Sequence, residues 1–193
     1  TGLGEVFRYT LRDTTGTYSP MELRTIQDWI VRRQLLGVPG LAEVNSIGGY
    51  LKQYQVLVDP DRLAGYGLTL REVFDATAEA SGNAGAATIE TGPEQLSVRT
   101  DGLVQSMDDL RQSVVATRGG TPVTLGDVAE ITLGPAVRFG AATQDGEGEV
   151  VTGFALQLKG ANARVVVSAV KDRIEEIQRA LPEGVEIVPY YDR

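Results

Sequence analysis

The chain has 193 residues and a formal net charge of −8, from 18 Lys and Arg against 26 Asp and Glu, with 42% apolar residues. That balance excludes nucleic acid as a partner, because a polyphosphate needs a basic footprint; solubility or a cationic ligand accounts for the acidity. There is no His and no Cys, so the usual zinc and copper ligand sets are missing, no cofactor is implied, and an ion held here would sit on carboxylates and carbonyls.

The chain opens at Thr1 without an initiator Met, and a strand pattern follows at once from Glu5 to Arg12, with Val6 and Arg8 on one face and Phe7 and Tyr9 on the other. Ser19-Pro20-Met21-Glu22 is a capping box with Pro at the first helical position. Leu23, Ile26 and Ile30 continue at helical spacing until Gly37 and Pro39 stop the helix. Leu41 to Ile47, a Gly48-Gly49 turn and Tyr50 to Val58 read as a hairpin. A second capping box, Thr69 to Glu72, opens a helix carrying Leu70, Val73, Phe74 and Thr77, with Gly82 as its stop. The stretch from Ser81 to Gln95 is poor in apolar residues and reads as an exposed loop. Ser106 opens a short third helix. Val114 to Thr117 and Thr121 to Leu125 form another hairpin about Arg118-Gly119-Gly120, followed by a strand from Ala129 to Leu133. Strands from Val150 to Leu158 and Val185 to Tyr191 flank a fourth helix, capped by Asn162. Its buried face is Val166, Val170, Ile174, Ile177 and Leu181, and Pro182 and Gly184 end it. The chain stops at Arg193 straight after a strand, which with the missing Met predicts a domain of a longer polypeptide.

This order predicts an α+β fold. A β-α-β unit over residues 1–58 and a second over 136–193 would pack as a split ferredoxin-like sandwich with both helices on one face. Residues 59–135 have their own helices and hairpin and read as an α+β domain inserted into the first. Asp59-Pro60 and Gly134-Pro135 mark the crossings, since a residue before Pro is pushed out of helical geometry. Such short crossings predict a separate core in each part.

Catalytic chemistry is sparse. Gly2-Leu3-Gly4, Gly48-Gly49 and Gly146-Glu147-Gly148 lack phosphate-loop spacing and read as turns. Asp108-Asp109 and Glu175-Glu176 sit on helices where neighbours diverge by about 100°, and Glu147 and Glu149 fall in a solvated loop. A nucleophilic triad has no His to serve as base, and an acylphosphatase-like hydrolase has no anion loop with Arg before the first strand. Glu5 stands out, because an acid gains nothing from β-propensity at a strand start. Facing a cleft, it is a candidate cation ligand; facing water at an edge, it is a solubilising charge.

Several separated strings carry a specific resemblance. They are Thr1 to Tyr9, Leu23 to Ile30, Val38 to Val44, Tyr54 to Leu63, Leu125 to Ile131, Gly146 to Val150, Lys159 to Arg164 and Leu181 to Val188. In order and spacing they resemble the heavy-metal efflux branch of the resistance–nodulation–division (RND) pumps along essentially the whole chain. The resemblance implies a periplasmic segment of an inner-membrane, proton-driven exporter. Residues 1–58 and 136–193 would be a porter subdomain bordering the substrate cleft, and 59–135 an inserted docking subdomain. It further implies a homotrimer, a periplasmic adaptor and an outer-membrane channel as partners, and places an arm toward the neighbouring protomer near Ser81 to Gln95. Copper- and silver-type members resemble an aromatic site at the Glu5 position, whereas an acid suits cobalt–zinc–cadmium-type members, so the resemblance favours zinc, cobalt or cadmium over copper or silver. Arg138 and Phe139, at the re-entry into the porter part, are candidate cleft-lining residues by position. The methionine cluster of copper and silver members lies in a later region, and Met21 and Met107 read as packing residues. The alternatives are the equivalent part of a multidrug RND pump and a stand-alone periplasmic ligand-binding or assembly module. An enzyme is the weakest reading.

Overall fold

The computed structural model describes residues 4–80, 87–91, 94–98, 104–138, 140–146 and 148–193, with the backbone alone for 87–91 and 94–98. The chain is mixed α+β with antiparallel sheets and forms two compact units, Thr1–Gln53 with Pro135–Arg193, and Tyr54–Gly134. Phe139, Glu147 and the Gly82 helix stop lie outside the described residues.

In the first unit, β1 (Glu5–Asp13) is followed by α1 (Pro20–Ile26), a π-helical turn (Gln27–Val31), α2 (Arg32–Leu35) and β2 (Leu41–Ile47). The second unit runs from β3 (Lys52–Val58), whose first residues still belong to the first unit, through α3 (Pro60–Gly65), α4 (Leu70–Ala80), β4 (Ala87–Thr91), β5 (Glu94–Val98), α5 (Met107–Gln112), β6 (Val114–Arg118), β7 (Thr121–Thr124) and α6 (Leu125–Val128) to β8 (Ala129–Pro135). The chain then returns to the first unit with β9 (Ala142–Thr143), β10 (Glu149–Gln157), α7 (Ala163–Ala180) and β11 (Val185–Asp192).

Helix starts follow their local chemistry. The Ser19 hydroxyl accepts from Glu22 N–H at 3.3 Å while the Glu22 carboxylate accepts from Ser19 N–H at 2.8 Å, and Pro20 sets the first helical φ. Asn162 Oδ1 accepts from the N–H groups of Arg164 and Val165 to start α7. Bonds of the same kind hold four exposed carboxyls below their ordinary range: Glu22 through the backbone and hydroxyl of Ser19, Glu72 through those of Thr69, Asp109 through Ser106 and Asp127 through Thr124. A carboxyl whose folded pKa is depressed contributes stability above its unfolded pKa and loses it as pH falls through the folded value. With no His in the chain, urea midpoints should be flat from about pH 8 to 6 and fall below about pH 4.5. A midpoint that drops between about pH 8 and 6 would contradict this.

Three expectations are corrected. First, Leu41–Ile47 and the following strand do not form a hairpin. β2 pairs with β10, while β3 pairs with β8. Gly48 and Gly49 both take positive φ, and a Cβ on Gly48 would lie 2.2 Å from Val150 O. The turn is thus wedged against β10 and hands the chain to another sheet. Second, the stripe of the first helix keeps Leu23, Ile26 and a half-buried Ile30 against the core, but its fully buried positions pass on to Val31 and Leu35, which helical spacing from Leu23 and Ile26 did not predict. Arg32 N–H bonds to Gln27 O, five residues back, so one extra residue in that turn rotates the face. Third, the expected loop from Ser81 to Gln95 contains strand: β4 pairs with β5 from Ala87↔Val98 to Thr91↔Glu94. β-branched Thr88, Ile89 and Thr91 favour extended backbone, and pairing does not need an apolar run.

The main sheet has the order β11-β1-β10-β2, all neighbours antiparallel, with β9 added to β10. Its core gathers Phe7, Tyr9 and Leu11 of β1, Val44 of β2, and Val151 and Ala155 of β10 with Leu23, Val31 and Leu35 of the first helical run and Val170, Ile174 and Ile177 of α7. A separate small core in the second unit joins Leu68, Val73, Leu110, Val123, Leu125, Val128 and Ile131. There the β6–β7 hairpin turns at Gly119-Gly120, both at positive φ, as a two-residue hairpin loop requires.

Candidate functional site at the start of β1 and the return strand

Glu5 opens β1, and both oxygens of its carboxylate are engaged. Arg8 Nε donates to Glu5 Oε1 at 2.6 Å and Arg8 Nη2 donates to Oε2 at 2.8 Å. In a regular strand, residues three apart face opposite sides. The register shift between Glu5 and Phe7 inserts Val6 as an extra residue, which brings Glu5 and Arg8 to one side and lets both Val6 and Phe7 be buried. The expected simple alternation of β1 therefore fails at Val6.

The guanidinium is held independently of Glu5. It lies 5.4 Å from the Phe154 ring centroid of β10 and 5.4 Å from that of Tyr191 of β11, within cation–π range. The bond to Glu5 is the main cause that raises the Arg8 pKa further, so the guanidinium stays charged at any ordinary pH. The Glu5 side chain is only 16% exposed. That removes the reading of Glu5 as a solvated edge charge. It equally means that a cation reaching this carboxylate meets a guanidinium already bonded to both oxygens. The bulge that couples Arg8 to Glu5 left no signal in the sequence.

Arg138 belongs to a second cluster. Its Nη1 pairs with Glu149 Oε1, and its guanidinium stacks over Tyr50 at 4.4 Å. Glu149 Oε1 also accepts from Gly49 N–H at 3.0 Å, and Ala136 N–H donates to Leu51 O at 2.8 Å. These contacts clasp the departing segment 49–51 to the returning segment 136–138. Glu149, read from sequence as a loop acid, is thus a structural anchor. Arg138 lines a surface cavity together with Arg24, Ser46, Leu51 and Val137. Phe139 lies outside the described residues, and among the described residues no group of three or more acids could hold a metal ion.

Sequence reasoning missed a buried polar chain beside these clusters. Gln27 Nε2 donates to the Tyr9 hydroxyl at 2.9 Å and to Ser46 Oγ at 3.2 Å. Ser46 Oγ donates to Asp28 Oδ1, Asp28 Oδ2 accepts from Arg24 Nε, and Arg24 Nη1 donates to Gly48 O. Burial pushes the Tyr9 hydroxyl well above its ordinary range, so it stays protonated. The only sequence hint was Gln27 standing in an otherwise apolar helical stripe.

Among the described residues, no helix is long and apolar enough to cross a membrane. The chain matches the AcrB/AcrD/AcrF family model over residues 1–193. It is 44% identical over its full length to "Cation efflux system protein CusA" of Escherichia coli (strain K12), covering 18% of that protein. It is 46% identical to "Cobalt-zinc-cadmium resistance protein CzcA" of Cupriavidus metallidurans, again over its full length and covering 19%. A crystal structure described as that of a heavy metal efflux pump superposes with a TM-score of 0.80 at 32% identity, over all of this chain and 19% of that one. The chain therefore spans about a fifth of the length of these relatives. On the whole-length family match and these identities, the chain belongs to the AcrB/AcrD/AcrF family of RND transporters, which are transporters rather than enzymes.

Proposed function

We propose that the chain is the periplasmic part of a proton-driven, inner-membrane exporter of metal cations. The observation that carries this reading is the identity of 44% and 46%, without loss of coverage of this chain, to relatives named for cation efflux and for cobalt–zinc–cadmium resistance. In this reading residues 1–58 and 136–193 are a porter subdomain forming one wall of the cation cleft. Residues 59–135 are a docking subdomain toward the adaptor and outer-membrane channel, within a homotrimer. The sheet order β11-β1-β10-β2, with one helical run after β1 and α7 after β10, supports the ferredoxin-like plan for the first unit. Transport proceeds by rigid-body rocking of such subdomains, and the proton path lies on charged groups of membrane helices elsewhere in the pump.

Glu5 is the proposed carboxylate of the cation path. An ion binding there replaces the Arg8 guanidinium, which keeps its stacking on Phe154 and Tyr191 after release. Oxygen donors suit zinc, cobalt or cadmium better than copper or silver, whereas the identities to CusA and CzcA differ too little to choose between ions. Arg138, committed to Glu149 and Tyr50, is proposed to border the cleft without binding the ion.

The full-length parent pump, expressed in a host lacking its own exporters, tests the reading. It should protect against zinc, cobalt and cadmium, and Glu5→Gln at equal expression should abolish that protection. Protection against organic toxicants alone would favour the multidrug reading, and protection against copper and silver alone would overturn the ion class. Undiminished protection by Glu5→Gln would remove Glu5 from the path while leaving the exporter reading intact.

A further inference from the structure

Among the described residues the main sheet ends at β11, which pairs with β1 on one side only. A free strand edge is a template for another strand. This one borders an apolar groove between α7 and β11 lined by Phe7, Ile174, Ile187 and Pro189, the combination that captures extended peptides by strand addition. Yet two of the groups an incoming strand would engage are already taken. Gln178 Nε2 donates to Val185 O at 2.8 Å, and Ile187 N–H donates to Gln178 Oε1 at 2.8 Å. A single side-chain amide thus satisfies the outward carbonyl of Val185 and the next outward N–H, that of Ile187, as one residue of an added parallel strand would. The next outward position, two residues on, is Pro189, which has no N–H to offer. Beyond it the register shifts between Pro189 and Tyr191, and Lys171, two turns before Gln178 on α7, pairs with Asp192.

We propose that Gln178 and Pro189 close the outer edge of β11 against strand addition, so that a second copy of this chain cannot pair with it. The device is local: one half-buried side chain of α7 and one imino acid remove successive hydrogen-bonding positions. Edge and groove remain side by side, but only side chains, not a backbone, find partners there.

The test uses the 193-residue chain with Gln178→Leu, Pro189→Val and the double variant. In the wild type the Ile187 amide should exchange with solvent at least about tenfold more slowly than in Gln178→Leu at low protein concentration. By sedimentation velocity the double variant should self-associate at least about tenfold more tightly than the wild type. In that variant the Ile187 amide, and the amide that the Pro189→Val change introduces, should gain protection as concentration rises. Equal Ile187 exchange in wild type and Gln178→Leu would overturn the proposal. So would a double variant that associates no more tightly than wild type, or one that associates with no added protection along 187–191. Should circular dichroism show the double variant unfolded, Pro189→Val alone carries the same comparison, with its association expected to exceed that of the wild type.

Discussion

Gly153→Ala should destabilise the first unit by about 3 kcal/mol, the upper end of what overpacking a core costs, and so lower its folded-to-unfolded ratio about a hundredfold. Gly153 of β10 lies opposite Tyr9 of β1 in the register. A Cβ there would lie 2.2 Å from Tyr9 Cζ and 2.4 Å from its hydroxyl oxygen, far inside contact distance. The ring has nowhere to retreat, because Tyr9 is fully buried and its hydroxyl is bonded to Gln27 in the polar chain that reaches Asp28 and Arg24. Glycine at 153 is therefore the cavity that admits the tyrosine. The prediction is sharpest as a double-mutant cycle by urea unfolding. In a Tyr9→Leu background Gly153→Ala should cost less than about 1 kcal/mol, leaving a coupling of about 2 kcal/mol or more between the two positions. The same cost in both backgrounds would refute the account.

Leu125→Ala should cost the second unit about 3 kcal/mol, within the range for truncating a buried leucine. Leu125 is fully buried at the start of α6, where it packs with Leu68, Val73, Leu110, Val123 and Ile131. That core is small, so one lost side chain is a large share of it. The core of the first unit is a different cluster built on β1, β10 and the helices. Native-state hydrogen exchange should accordingly show the amides of β6, β7 and β8 opening about a hundredfold more often, with those of β1 and β10 changed by less than about threefold. Equal acceleration in both sets would mean that the two cores unfold as one.

What was legible in the sequence was what local chemistry decides. Ser19 with Glu22, Ser106 with Asp109 and Asn162 each announce a helix start through a short-range bond, and the structure contains those bonds. The Gly119-Gly120 turn likewise identifies its hairpin. The same glycine logic misled at Gly48-Gly49, because a positive-φ pair says that the chain turns and not which strand it then meets. The π-helical turn was hidden for a related reason. The buried Tyr9 hydroxyl, eighteen positions earlier in the chain, draws Gln27 into the core, and no helical periodicity records a partner on another element. Glu5 stood out in the sequence as an acid at a strand start, yet its environment was not legible. Its pairing with Arg8 depends on a one-residue bulge, and the aromatic clamp comes from strands far along the chain, at Phe154 and Tyr191.

The most direct test of cation export is reconstitution of the full-length parent pump in proteoliposomes with an imposed proton gradient. Transport of zinc, cobalt and cadmium would be followed by an ion-sensitive dye, with an organic dye as the competing substrate. The account predicts gradient-dependent movement of the divalent ions, which collapses when the gradient is discharged, and no movement of the organic dye. Transport of the organic dye without transport of any metal ion would contradict it.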